Sequence, residues 1–160
     1  MPAPSNSIIF LDIDGVLCTQ SAWKPEIIAA DGYSEFNAAC IENLNLLIEQ
    51  TGAGIILTSS RRMTKTIDEF QEIMQRRGCC GQIIGKVDDA TAPSGVSRAV
   101  EIAAWLNHYG QPAHFVILDD DSRLAELPHQ YRSHWVRTTY YRGFDAVALS
   151  EALAILRTDQ

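Results

Sequence analysis

Acidic and hydroxyl side chains follow three separate apolar segments of this chain. Residues 8–11 lead into Asp12-Ile13-Asp14-Gly15, residues 54–57 into Thr58-Ser59-Ser60, and residues 114–118 into Asp119-Asp120-Asp121. Carboxylates held a few ångströms apart repel one another unless a cation neutralises them or a proton stays bound. Oxygen ligands without a neighbouring His or Cys suit Mg²⁺, which commonly shares its coordination shell with a phosphate. These residues therefore predict a site for magnesium and a phosphate group.

The spacing of Asp12 and Asp14 also suggests catalysis. In an extended backbone, side chains two residues apart point the same way. Where the strand unwinds at Gly15, one carboxyl can act as a nucleophile and the other as a proton donor. Where no buried strand and no second acidic group accompany it, an Asp-x-Asp-Gly sequence is often a solvated turn. An EF-hand loop is excluded, because Val16 and Trp23 occupy positions where that loop needs an oxygen ligand and a Glu.

The elements that must position these residues alternate along the chain. Hydrophobic patterning predicts strands at residues 8–11, 54–57, 82–87, 114–118 and 134–138. It predicts helices at residues 37–50, 63–77, from Ser94 or Ser97 to about 108, and 145–157, with Asn37 as an N-cap and Ala146, Leu149, Leu153 and Leu156 on one stripe. This order indicates a single three-layer α/β domain over residues 1–160 with a parallel five-stranded sheet. Ligands of such sheets bind at the carboxyl ends of the strands.

Residues 16–36 are too long for an ordinary strand-to-helix connection. Asp31-Gly32 lies between apolar residues there and predicts a tight hairpin, so we expect a small flap. A predicted helix, strand and helix use up the chain that follows Thr58-Ser59-Ser60. No room remains for a large cap domain, and an uncovered site would admit a large substrate.

Composition limits the class of protein. With 160 residues, of which 46% are hydrophobic, the chain is one globular domain and not a disordered protein. A net charge of −7 disfavours a protein that coats nucleic acid or anionic membrane, although a cation at the acidic site would offset part of it. The chain has no apolar run long enough for a bilayer, no basic leader and no Cys-x-x-Cys pair, which predicts a cytoplasmic protein with reduced thiols.

Four segments resemble, in order, the motifs of the haloacid dehalogenase-like (HAD) hydrolase superfamily. They are residues 8–17, residues 55–58, Arg98 at a helix start, and residues 116–120. Residues 57–62, 98–106 and 118–122 more narrowly resemble the small HAD domains linked to "Swiss army knife" RNA repair proteins. Arg61 departs from that pattern, since relatives tend to carry Trp there. The resemblance implies a Rossmann-like fold with a minimal cap.

The resemblance also implies a role for each site residue. Asp12 would attack phosphorus to form an aspartyl-phosphate, and Asp14 would protonate the leaving oxygen and later activate water. Thr58, or Ser59 in its place, would hold phosphoryl oxygens, and Arg98 would offset their charge. Asp119 or Asp120 would complete the Mg²⁺ shell with Asp12 and the Asp14 carbonyl.

Several of these residues have structural alternatives. Thr58, Ser59 or Ser60 can N-cap the following helix, and Lys86 is a second candidate for the motif-three cation. Asp121 is expected to point outward or to cap a helix. The four histidines stand singly and indicate core or surface positions.

The sequence leaves three functional hypotheses. The leading one is a Mg²⁺-dependent phosphatase. The second is a phosphatase acting on a 3′ or 5′ nucleic-acid end in RNA repair, and the third is a non-catalytic module that binds Mg²⁺ or phosphate. Stacking and basic groups near the phosphate would favour the second, and the candidates are Trp23, Lys24, Arg61-Arg62 and Tyr140-Tyr141-Arg142.

Overall fold

The computed structural model describes residues 6–19, 27–59, 65–87 and 96–157. Six residues for which the sequence suggests a role lie outside those ranges. They are Trp23 and Lys24 in the predicted flap, Ser60 and the pair Arg61-Arg62 after the second strand, and Ser94 before the third predicted long helix.

A parallel sheet forms the centre of the described chain. Its strands run in the spatial order β3-β2-β1-β4-β5 and every neighbouring pair is parallel. β1 and β4 are therefore adjacent, with Leu11 opposite Leu118. The strands are β1 (Ser7–Leu11), β2 (Gly54–Leu57), β3 (Ile83–Lys86), β4 (His114–Asp119) and β5 (Trp135–Arg137). The predicted five-stranded, Rossmann-like α/β fold is confirmed, and the short undescribed stretches leave no room for a large inserted cap domain.

In the described ranges, four longer helices and two short ones accompany the strands. The longer ones are α1 (Ala38–Thr51), α2 (Ile67–Arg76), α3 (Arg98–Tyr109) and α5 (Ala146–Leu156), and the short ones are a 3-10 helix (Ser122–Glu126) and α4 (His129–Arg132). Asn37 caps α1, as predicted, and Ser97 caps α3. The two short helices were not predicted, because four or five residues carry no helical period.

The start of α2 was predicted wrongly. The helix begins at Ile67 with Thr66 as its N-cap, so neither Thr58 nor Ser59 caps it. Thr66 and Glu69 form a capping box: the Thr66 Oγ1 accepts a hydrogen bond from the Glu69 N–H at 3.1 Å, and the Thr66 N–H donates to Glu69 Oε1 at 2.9 Å. These bonds satisfy two backbone donors that the helix itself leaves without partners.

Two apolar layers cover the sheet. Alternate strand residues point to opposite faces, so Ile9 and Leu11 pack with α1, α2 and α5, whereas Ile8 and Phe10 pack with α3 and the two short helices. The predicted stripe of α5 is shifted. Ala148, Ala152 and Leu156 are buried, the predicted Leu149 and Leu153 are partly buried against the same core, and the predicted Ala146 is exposed.

Residues 27–35 form the hairpin that Asp31-Gly32 predicts. Ile28 and Ser34 make an antiparallel bridge, and the Gly32 N–H donates to the Ala29 carbonyl at 2.9 Å. Arg77, at the end of α2, holds this hairpin: its two Nη atoms donate to the two carboxylate oxygens of Asp31 at 2.7 and 3.0 Å. Those hydrogen bonds hold the pKa of Asp31 far below its usual range. The described part of the flap is thus fastened to α2.

All four cysteines are free thiols. Within the described segments, no helix has both the length and the apolar composition needed to cross a bilayer.

Candidate active site

Three carboxylates meet at the carboxyl edge of the sheet. Asp12 directly follows β1, Asp119 ends β4 and Asp120 comes next. One carboxylate oxygen from each lies within 4.8 Å of the other two. Asp12 and Asp119 are buried, with 4% and 0% of their surface exposed. The close approach follows from the sheet, because β1 and β4 are neighbours and the Asp12 N–H continues their ladder by donating to the Leu118 carbonyl.

Arg98 supplies the positive charge beside this group. It is the first residue of α3, and its Nη1 lies 3.3 Å from Asp12 Oδ1 and 2.9 Å from Asp119 Oδ2. The Ser97 side chain accepts a hydrogen bond from the Val100 N–H and so fixes where α3 begins. Among the described residues, the Arg98 guanidinium alone forms ion pairs within this group of three carboxylates, which leaves an excess of negative charge when all three are ionised.

The electrostatics of the cluster fit a bound cation. Burial and, to a smaller extent, the charge of Asp119 raise the pKa of Asp12 to about 8, although Arg98 acts to lower it. Burial and the charge of Asp119 also raise the pKa of Asp120. A divalent cation would remove this repulsion and keep the carboxylates ionised. The donors are all carboxylate oxygens, which are the ligands that Mg²⁺ prefers.

A tight turn carries Asp14 away from β1. The Ile13 carbonyl accepts hydrogen bonds from the N–H groups of Leu17 and Cys18, both at 2.9 Å. Gly15 has a φ of +81°, and a Cβ placed on it would come within 3.0 Å of the Asp120 carboxylate. Only glycine fits this position without displacing Asp120. Asp14 is half-buried on this turn. Its carboxylate is not one of the three clustered groups, and the metal contact expected of its carbonyl stays a prediction.

Thr58 and Ser59 lie one strand away from Asp12. Both are buried, with 0% and 1% of their surface exposed, and the Thr58 N–H donates to the Leu11 carbonyl at 3.0 Å. β2 therefore brings both hydroxyl residues to the edge where Asp12 emerges. Which of them fills the second motif stays a prediction.

The geometry distinguishes the two candidates for the motif-three cation, Arg98 and Lys86. Arg98 forms ion pairs with Asp12 and Asp119. Lys86 ends β3, a further strand away from β1, and among the described residues it makes no ion pair with those carboxylates.

Asp121 lies outside the cluster and caps a helix. Its Oδ1 accepts a hydrogen bond from the Arg123 N–H at 2.9 Å at the start of the 3-10 helix. Its own N–H donates to Asp119 Oδ1 at 2.9 Å, so its backbone helps to orient Asp119.

Two residues at opposite ends of β5, Trp135 as its first residue and Thr138 directly after it, support the site and were missed by sequence reasoning. The buried Thr138 donates from Oγ1 to the Gly15 carbonyl at 2.6 Å and from its N–H to the Asp119 carbonyl at 3.1 Å. Trp135 Nε1 donates to the same Asp119 carbonyl at 3.0 Å. Thr138 ends a predicted strand, so the search of strand ends could have found it. No sequence signal points to Trp135.

The fold and the cluster together define a Rossmann-like α/β domain with a buried acidic site at the carboxyl edge of its sheet. The family described as "HAD domain in Swiss Army Knife RNA repair proteins" matches residues 8–149, from β1 into α5. The chain belongs to that family, as its motifs suggested. Searches of curated proteins and of solved structures gave no match.

Proposed function

We propose that this chain is a Mg²⁺-dependent phosphatase that hydrolyses a phosphate monoester through an aspartyl-phosphate on Asp12. The observation that carries the proposal is the buried group of Asp12, Asp119 and Asp120 with Arg98 bridging two of its members. Membership of a HAD family supports a hydrolase, and the carboxylates supply the nucleophile and cation ligands that such chemistry requires.

The reaction divides into two displacements at phosphorus. In the first, a carboxylate oxygen of Asp12 bonds to phosphorus as the ester P–O bond breaks, and Asp14 gives its proton to the leaving oxygen. In the second, Asp14 takes a proton from water, and the water oxygen attacks phosphorus. The bond between Asp12 and phosphorus then breaks, which releases phosphate and restores both carboxyl groups.

Other residues bind and orient the phosphoryl group. Thr58 or Ser59 would donate to its oxygens, and Arg98 would offset their charge. Asp12, Asp119, Asp120 and the Asp14 carbonyl would hold Mg²⁺. When bound, the ion neutralises charge on the carboxylates and the phosphoryl oxygens.

We further propose that the substrate is the phosphorylated end of a nucleic acid, and that the enzyme works in the cytoplasm. The family takes its description from RNA repair proteins. The absence of a large inserted domain over the described edge of the sheet favours a bulky substrate. The proposal predicts faster hydrolysis of 3′- or 5′-phosphorylated oligonucleotides than of sugar phosphates, and equal rates on both would contradict it.

The phosphatase proposal is tested with an aryl phosphate. We expect phosphate release that requires Mg²⁺, and a fall of at least about 10³-fold in kcat for Asp12→Asn, because the nucleophile is lost. Asp121→Asn is the matched control, since Asp121 is the neighbouring carboxylate that caps a helix. Turnover retained in Asp12→Asn refutes the proposal. Binding of Mg²⁺ without turnover of any ester favours a non-catalytic module.

A further inference from the structure

The connection from β5 to α5 exposes two tyrosines and an arginine. Residues 139–143 form a tight turn in which the Gly143 N–H donates to the Thr139 carbonyl at 2.8 Å. Tyr140 and Tyr141 are 41% and 65% exposed, and their rings meet edge to face with centroids 5.9 Å apart. The turn thus holds two aromatic rings at the surface in a fixed relation to each other.

Both ends of this turn are fastened to the loop that follows Asp12. Before it, the Thr138 Oγ1 donates to the Gly15 carbonyl at 2.6 Å. After it, the Phe144 N–H donates to the Val16 carbonyl at 2.8 Å. Tyr141 is three residues from Thr138, so its backbone lies within about 10 Å of that contact. Because Gly15 lies against the Asp120 carboxylate, the turn that carries the tyrosines starts next to the acidic site.

Arg142 gives this turn a positive charge, whereas the chain as a whole is negative and would repel a polyanion. The net charge of the chain is −7. Arg142 is exposed next to the two tyrosines, and it makes no ion pair with any residue in the described ranges. An aromatic pair beside an available guanidinium is the combination that binds single-stranded nucleic acid, since every base has a stacking face and every nucleotide a phosphate.

We propose that the Tyr141 ring, which meets Tyr140 edge to face, stacks against the terminal base of a single-stranded nucleic acid whose end phosphate occupies the acidic site. Arg142 then pairs with the next phosphate along the strand. This inference rests on the proposed phosphatase function and adds the residues that select a nucleic-acid end over a small phosphate ester.

Tyr109 provides a matched control for the tyrosines. It is 57% exposed, close to the value for Tyr141, but it ends α3, whereas Arg98 begins that helix at the site. Eleven helical steps separate the two residues, or roughly 16 Å. Replacing Tyr109 therefore removes an equally exposed ring far from the acidic cluster.

The test compares two phosphorylated oligonucleotides of the same length, one ending in a normal base and one ending in an abasic residue. The measured quantity is the ratio of their kcat/KM values. We expect this ratio to fall about 10- to 100-fold in Tyr141→Ala, mainly through KM, because a stacking contact is lost. Tyr141→Phe should keep the wild-type ratio, since it keeps the ring, and so should Tyr109→Ala.

The outcomes separate this inference from the function on which it rests. If the wild-type chain hydrolyses both oligonucleotides and glycerol phosphate, but the ratio is unchanged in Tyr141→Ala, the stacking role is refuted and the phosphatase stands. An equal loss on both oligonucleotides also refutes the stacking role. If the wild-type chain hydrolyses none of these esters, the proposed phosphatase function itself is wrong.

Discussion

Replacing Gly15 with alanine should damage the cation site far more than it damages the fold. Gly15 has a φ of +81°, and an alanine Cβ there would meet three atoms of the Asp120 carboxyl group, the farthest at 2.8 Å. Real Cβ atoms stay at least 3.0 Å from other atoms, and the nearest carboxylate oxygen would lie at 2.3 Å, so the group must retreat by about 0.7 Å. Oxygen ligands hold their distance from a metal to within about 0.2 Å. The carboxylate of Asp120 is therefore displaced from its place in the cluster.

Gly32 is the matched control for this substitution. It also has a φ of +81°, but a Cβ placed on it meets nothing within 4 Å. Both Gly15→Ala and Gly32→Ala should lose about 1–2 kcal/mol of unfolding free energy, which is the cost of a left-handed backbone for alanine. Only Gly15→Ala should also weaken Mg²⁺ binding, by about 10- to 100-fold, the usual effect of disturbing the surroundings of metal ligands.

Urea unfolding and Mg²⁺ titration calorimetry measure the two effects separately. We expect similar unfolding midpoints for the two variants in EDTA and a clear difference once Mg²⁺ is added, because bound ligand stabilises the folded state in proportion to its affinity. Equal Mg²⁺ affinities in the two variants would show that Asp120 does not contribute to the cation site.

Three further predictions concern charge. Arg98→Met should lower the unfolding free energy by about 3 kcal/mol in EDTA, because it leaves buried carboxylates without a cation. Added Mg²⁺ should then stabilise the variant more than it stabilises wild type, and equal stabilisation would contradict this reasoning. Because the pKa of Asp12 is raised to about 8, the native state keeps a proton that the unfolded chain loses near pH 4. Unfolding free energy in EDTA should therefore fall as pH rises from about 5 to 8, by at most about 1.4 kcal/mol per unit, and urea titrations should give a flatter profile for Asp12→Asn; parallel profiles would refute the burial argument. Arg77→Met should speed hydrogen exchange at the Gly32 and Glu35 amides of the hairpin, since it removes the paired hydrogen bonds to Asp31. Arg76 is the more exposed neighbour, and Arg76→Met should leave these exchange rates unchanged; equal rates in the two variants would show that Arg77 does not hold the hairpin.

The fold could be predicted because its signals are local and periodic. Short apolar runs alternate with helical stripes, and a parallel sheet brings the carboxyl ends of its strands to one edge. That rule is enough to group Asp12, Thr58 and Asp119. The apolar pattern does not give the full spatial order of the strands, and it is the structure that shows β1 paired with β4, which brings Asp12 and Asp119 into direct proximity.

Contacts between distant side chains were not predictable. Arg77 and Asp31 lie 46 residues apart and pair through side chains, which leaves no period in the sequence. Thr138 supports Gly15 across 123 residues in the same way. The start of α2 was missed for a different reason. Apolar spacing extended the helix toward Met63, whereas the Thr66–Glu69 capping box fixes its first turn.

Trapping the phosphorylated enzyme tests the central proposal most directly. A phosphate ester of 4-nitrophenol needs no proton from Asp14 to lose its leaving group, whereas breakdown of the aspartyl-phosphate needs Asp14 to activate water. In Asp14→Asn with Mg²⁺, the intermediate should therefore accumulate. Borohydride reduces an acyl phosphate to an alcohol, so peptide mass spectrometry should find the reduced side chain at residue 12 and nowhere else. A trapped group on another residue, or turnover with no trapped group at all, would contradict nucleophilic attack by Asp12.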